Sequence, residues 1–262
     1  MGQLEQENQV ACPAAGPLPR ADPSQPPSPR RWRPMESRTL GRIKIMLPDL
    51  TEPGLHLSSV ESLESGRGTV QEFQYADANL RELDLAGTHL ITGRITGLRA
   101  ARVHFEAVNL HCVQLDACDL RSARWAGGKL TRVVFHNCRI MGAALSDLVL
   151  DHVLFDRCKL DYTAFTKVRA AGPVAFSECG LTEASLTDCD LSGAVMRDCA
   201  LRDTEFGRGR YRGLDLRDND LTALRGVASL NRALIDRAQQ DQLTQALMTE
   251  LDMTYGDDLN MP

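Results

Sequence analysis

Residues 118–140 read CDLRSARWAGGKLTRVVFHNCRI, and a large apolar side chain returns at every fifth position: Leu120, Trp125, Leu130, Phe135 and Ile140. Followed outward, the same frame runs from Tyr75 to Ala170, slips by one residue at Gly172-Pro173, and resumes from Phe176 to Leu221. Of these 30 positions only Ala100 and Ala170 are small. A chain that is 43% hydrophobic would give about 13 apolar residues in such a frame by chance. Five matches neither the 3.6-residue period of an amphipathic helix nor the two-residue alternation of a strand, so a repeat must be read before any local element.

A second column runs two residues earlier and holds mostly small or β-branched residues, such as Val108, Val113, Cys118, Ala123 and Val133. Leu83, Leu98, Leu148 and Leu214 are larger than this column prefers, and Asn219 is polar. The residues between are mostly polar. Two inward positions in five, one large and one small, describe a chain that turns a corner every five residues.

Units such as Ala78-Asn79-Leu80, Cys118-Asp119-Leu120, Cys189-Asp190-Leu191 and Asn219-Asp220-Leu221 resemble the pentapeptide-repeat family. The resemblance implies an all-β solenoid, a right-handed quadrilateral β-helix with four repeats per coil and about 7.5 coils. It implies a core stack that includes Leu80, Leu85, Phe105, Leu120, Phe135, Phe155, Leu160, Phe165, Phe176, Leu201 and Phe206. With twenty residues per coil, Cys118, Cys138, Cys158, Cys179 and Cys199 form one inward ladder, with Cys189 on the opposite face. Thiols fill small apolar slots well, and no C-x-x-C pair or histidine cluster suggests zinc, so no metal or cofactor is expected.

The flanks divide the chain further. Residues 1–34 hold eight of the 12 prolines and read as a disordered tail, and Met35 offers an alternative start. Residues 35–74 read as a linker and N-terminal cap, with Ile43–Leu47 as a short strand and Leu55, Leu57, Val60 and Leu63 as covering residues. The repeat occupies 75–225, and residues 226–262 hold a helix and an acidic tail. Asp236 with Gln239 three residues on forms a capping-box pattern before a helix over 237–252. Its apolar stripe, Leu243, Ala246, Leu247 and Leu251, either caps the last coil or pairs with a second copy.

No run of apolar residues is long enough to span a membrane, no signal pattern leads the chain, and the cysteines do not form a secreted framework, so a cytoplasmic protein is expected. The chain carries a net charge of −5. Residues 75–225 balance 20 acids against 20 bases, whereas 178–220 hold 10 acids against 6 bases. No basic stripe with interleaved aromatics points to direct nucleic-acid binding. No phosphate loop, G-x-S-x-G or H-E-x-x-H is present, and a filled solenoid offers no deep pocket, so an enzyme is not expected.

The C-terminal run Leu224-Arg225-Gly226 … Leu234-Ile235-Asp236 … Gln240 … Leu243 is similar to the end of Qnr/MfpA-type members of the family. That resemblance implies DNA gyrase or topoisomerase IV as partner, engaged by mimicry of DNA with an effect on quinolone sensitivity. It implies a homodimer through Leu243, Leu247 and Leu251, and a partner-binding set of Asp188, Asp190, Asp198, Asp203, Glu205, Asp215 and Asp218. The near-neutral rod leaves open a second reading, a protein-interaction scaffold unrelated to topoisomerases.

Overall fold

The computed structural model describes residues 36–64, 68–254 and 256, so the expected tail 1–34 lies outside the described residues. The repeat folds as a parallel β-solenoid of about seven turns. Each coil takes twenty residues: Leu110 pairs with Leu130 and Leu130 with Leu150, Phe135 with Phe155, and Leu145 with Phe165. Four inward columns therefore define four faces. Tyr75, Leu115, Phe155 and Leu216 lie under the first, Leu120 and Leu160 under the second, Phe105 and Leu145 under the third, and Leu110 and Leu150 under the fourth.

The large column stacks as the spacing requires. Phe135, Phe155 and Phe176 lie face to face with ring centroids 4.8 and 4.9 Å apart, which is the ordinary spacing between neighbouring strands. Phe105 meets Trp125 edge-on at 4.9 Å, a geometry that suits the ring quadrupole. The interior is dry. The voids among Leu120, Trp125, Phe135 and Phe155 amount to about 10 Å³, at the lower limit for holding a water molecule.

Corners demand an unusual backbone. The second residue after each large one often lies in the left-handed region, among them Cys112, Arg132, Asn137, His152 and Arg157, with φ between 51° and 54°. For non-glycine residues this conformation is unfavourable. It persists because it aims the corner amides at the next coil: Ala117 N–H donates to the His136 carbonyl at 2.9 Å, and Asn137 N–H to that of Asp156 at 3.0 Å. Buried backbone groups thus stay paired.

Parallel pairing begins before the apparent frame: Ser58 and Ser59 pair with Phe73 and Gln74, and residues Thr69–Ala76 pair in register with His89–Thr96. Phe73 fills a slot meant for a small side chain, and Gly93 above it makes the room. A Cβ on Gly93 would fall 2.2 Å from the Phe73 ring. At the slip, Val153 pairs with Val174, and the extra residue is taken up between Ala170 and Val174.

The small column carries its own chemistry. In the ladder Cys118, Cys138, Cys158, Cys179 and Cys199, each thiol donates to a carbonyl of the coil below and to one two residues back. Asn219, the polar exception, continues the ladder in the same style. Its Nδ2 donates to Met196 and Leu216 at 2.8 Å and to Arg217 at 3.0 Å, while its Oδ1 accepts from Cys199 N–H at 2.8 Å. Gln239 then takes the next place. Its Nε2 donates to the Leu216 and Asn219 carbonyls at 3.0 and 2.7 Å, and its Oε1 accepts from Asp236 N–H at 2.7 Å.

One side chain thus completes the start of a helix and ties it to the rod. A single 3₁₀ turn, Arg237–Gln239, leads into helix α1, Gln240–Glu250, slightly shorter than the 237–252 expected. Ala246 is buried, and Leu243 and Leu247 pack against the core from partly exposed positions. Gln242 and Glu250 accept from the Leu221 and Val227 amides at 3.0 and 2.8 Å. At the other end Leu63 is buried and Val60 packs beside it, whereas Leu55 and Leu57 are only partly covered.

Asn219→Leu leaves the Cys199 amide and two or more carbonyls without partners, and is expected to destabilise the rod by about 2–3 kcal/mol in urea unfolding. Asn219→Cys, which restores the thiol used elsewhere in the ladder, should lose less. Equal unfolding midpoints for both variants and the parent would contradict the polar ladder.

Candidate functional site

No group of three or more histidine, cysteine or carboxylate side chains among the described residues is arranged to hold a metal. The seven described cysteines are free, and all but Cys112 are buried. Burial pushes the Cys189 thiol up to about 11, as expected for an inert filler. What the molecule offers is outer surface, and its four faces differ.

The first face is partly covered. Strands β1 (Ser37–Leu40) and β2 (Ile43–Met46), the second within the short strand expected over Ile43–Leu47, form an antiparallel hairpin. Leu40 and Ile45 pack on Leu154, Ala175 and Val195, with Val134 at the margin. These residues stand immediately before Phe155, Phe176 and Met196, at outward positions that the repeat elsewhere fills with polar groups. Arg38 pairs with the buried Asp156 at 2.7 Å, and His136 Nδ1 lies 2.9 Å from the same carboxylate. Met46 N–H donates to His152 Nδ1 at 3.0 Å. The run of outward apolar residues was the signal for this contact, and the sequence reasoning did not use it.

The corner between the third and fourth faces carries a trough of about 450 Å³ lined by alternating charges. Asp188 pairs with Arg208 at 2.7 Å, and Asp190 with Arg210 at 3.7 Å. The Arg208 guanidinium holds the Asp188 carboxyl below the usual carboxylate range.

The seven expected partner-binding acids do not form one patch. Asp198 and Asp218 share the corner between the first and second faces, both reached by Arg197, at 3.9 and 2.9 Å. Glu178, not included in that set, stacks below them, since Glu178 N–H bonds to the Arg197 carbonyl at 2.9 Å. Asp203 lies at the far edge of the second face beside Arg202 at 3.7 Å, and Glu205 lies on the third face. Asp215 is buried and turned onto Arg217 at 2.6 Å, which holds its carboxyl below the usual range. Of the three leucines assigned to a dimer seam, Leu243 and Leu247 face the last coil, while Leu251 is 58% exposed and Met253 beside it 58%.

Residues 175–209 match the family described as pentapeptide repeats, in eight copies. The rod is a pentapeptide-repeat β-helix. No curated protein matches the chain. Among solved structures, this chain overlaps a trypsin-treated form of QnrB1, a plasmid-mediated fluoroquinolone resistance protein, at 12% identity and a TM-score of 0.39, over 69% of this chain and 96% of that one. A second trypsin-treated form gives 16% identity and 0.36, over 74% and 95%. HetL, a pentapeptide-repeat protein involved in heterocyst differentiation in a cyanobacterial Nostoc strain, overlaps at 18% identity and 0.22, over 66% and 89%. The twenty-residue register and the repeat match carry the assignment of the rod, and these overlaps add nothing to it.

Removing the cation from the buried Asp156 should release the hairpin, because an uncompensated buried carboxylate is costly. Arg38→Ala is therefore expected to raise amide exchange across residues 37–46 while leaving exchange in 109–116 unchanged. Equal protection of the hairpin in the variant would place its hold in the apolar contacts alone.

Proposed function

We propose that this pentapeptide-repeat rod acts by binding a protein partner through its charged outer faces and catalyses no reaction. The observation that supports this is the contrast between an interior with voids of only about 10 Å³ and outer faces bearing columns of charge at the coil spacing. Ligand sites are ordinarily concave and several hundred cubic ångströms in size. Among the described residues such volumes occur as open surface troughs, one lined by the pairs Asp188–Arg208 and Asp190–Arg210 and another by Arg99, Arg121 and Tyr162.

A narrower reading names the partner as DNA gyrase or topoisomerase IV, with the rod standing in for DNA and altering enzyme activity or quinolone sensitivity. Glu178, Asp198 and Asp218 on one corner favour it. The magnitudes limit it: one acid per coil of ~4.8 Å is roughly a third of the charge density of duplex DNA, one per ~1.7 Å. Any such fit would draw on rod shape as well as charge, and the broader reading as an interaction scaffold does not depend on it. In that narrower reading α1 joins two copies, with Leu251 and Met253 as the exposed part of the seam.

A supercoiling assay with purified gyrase, with and without a fluoroquinolone, tests the narrower reading. It expects inhibition or drug rescue at micromolar or lower protein concentration, weakened at least several-fold by Asp198→Lys with Asp218→Lys. No effect on either gyrase or topoisomerase IV would discard the topoisomerase reading and keep the scaffold.

A further inference from the structure

The second face is flat, open and electrically divided. Its outward residues stack coil upon coil, with backbone bridges linking Arg99, Asp119, Arg139, Lys159, Gly180 and Ala200 in turn. In its lower five coils Arg81, Arg99, Arg102, Arg121, Arg139, Arg157 and Lys159 stand against Asp77, Glu82, Asp119 and Asp161. In its upper three coils Glu178, Glu183, Asp198, Asp203, Asp218 and Asp220 stand against Arg202, with Arg197 reaching Asp198 and Asp218 from the corner. Some of these charges are already paired within the rod, Arg102 with Glu82 at 3.7 Å, Arg121 with Asp119 at 2.8 Å and Arg157 with Glu178 at 3.1 Å. Arg99, Arg139 and Lys159 are exposed and make no ion pair among the described residues.

The two halves match level by level. Counted from the coil of Tyr162, Arg139 lies one coil below, and Glu178 and Glu183 one above. Arg121 lies two below, and Asp198 and Asp203 two above. Arg99 and Arg102 lie three below, and Asp218 and Asp220 three above. A two-fold axis in the plane of the face, perpendicular to the rod at this coil, would set Arg99 and Arg102 of one copy on the level of Asp218 and Asp220 of the other and Arg139 on that of Glu178 and Glu183, while the level of Arg157, Lys159 and Asp161 meets itself. Tyr162, 56% exposed, would lie near the axis and meet its own equivalent, a central position and a residue type favoured for binding hot spots. The basic half has a depression of about 640 Å³ lined by Arg99, Arg121, Met141 and Tyr162. The acidic half is smooth, since its central residues are Gly180, Thr182 and Ala200.

From this pattern we infer that the second face is a self-complementary docking surface for a second copy of the chain, packed side by side and antiparallel. The interface is isologous and lies away from α1. It differs from the helix seam of the topoisomerase reading, and it covers the corner of Glu178, Asp198 and Asp218 which that reading uses, so a copy docked here and a topoisomerase would compete for the same acids.

Charge reversal with complementation tests it. One variant carries Arg99→Glu and Arg139→Glu, which removes the excess of bases from the lower half; the other carries Glu183→Lys and Asp203→Lys, which removes most of the excess of acids from the upper half. All four side chains are exposed, so unchanged thermal melts should confirm folding. Light scattering of the full chain at low salt should give dimeric mass for the parent and monomeric mass for each variant alone. An equimolar mixture of the two should regain dimeric mass, and about 1 M salt, where the Debye length is about 3 Å, should dissolve the parent dimer. A monomeric parent at low salt would overturn the inference. So would a dimer that survives both reversals, and its loss in Leu247→Asp would then assign the contact to α1.

Discussion

Every inward side chain in this protein must fit the one twenty residues later. That condition follows from parallel coils at strand spacing, and it leaves little freedom. Phe135, Phe155 and Phe176 can stack because each presents the same flat ring at the same level. Where a bulky group enters the small column, the next coil must yield, as Gly93 does above Phe73. Where a residue is inserted, it has to leave by a corner, as happens between Ala170 and Val174. The left-handed corners obey the same condition, since their strain is offset by amides that reach the neighbouring coil.

The ends of such a stack are its weak points, because a last coil exposes apolar rings and unpaired backbone to solvent. Here the remedy is built from the repeat itself. The cysteine ladder already donates to the carbonyls of the coil below. Asn219 does so with an amide that has more donors, and Gln239 repeats the arrangement from the beginning of the C-terminal helix. The change from thiol to carboxamide strengthens these bonds at the level where apolar stacking gives out. Helix α1 is thereby registered to the rod by hydrogen bonds as well as by Ala246, Leu243 and Leu247.

Much of the rod could be read from residues alone, since one period repeated along the chain specifies both the fold and which side chains face inward. The cysteine ladder, the slip at Gly172-Pro173 and the Asp236/Gln239 helix start all follow from that period and from local capping chemistry. The hairpin did not follow. Ile45 touches Leu154 and Val195 across more than a hundred residues of sequence, and no local pattern encodes where an independent segment docks. The apolar run Leu154, Ala175 and Val195 appears only when the chain is wound on its twenty-residue coil and read from outside. The acids posed the same difficulty. Counting them by segment joined Asp188, Asp198 and Asp215, whereas winding places these on a paired trough, an open corner and a buried ion pair. Glu178 joined the open corner for the same reason.

The coil register is the claim on which all of this rests, and residue-resolved amide hydrogen exchange of the native protein tests it most directly. The corner amides of Ala117, Asn137, Arg157 and Glu178 have the left-handed backbone of a turn, yet donate to carbonyls of the next coil at 2.9–3.0 Å. The account predicts that they exchange as slowly as the flanking strand amides of Val133 and Val153. Exchange of these corners at the rate of open surface turns would contradict the stacked coil.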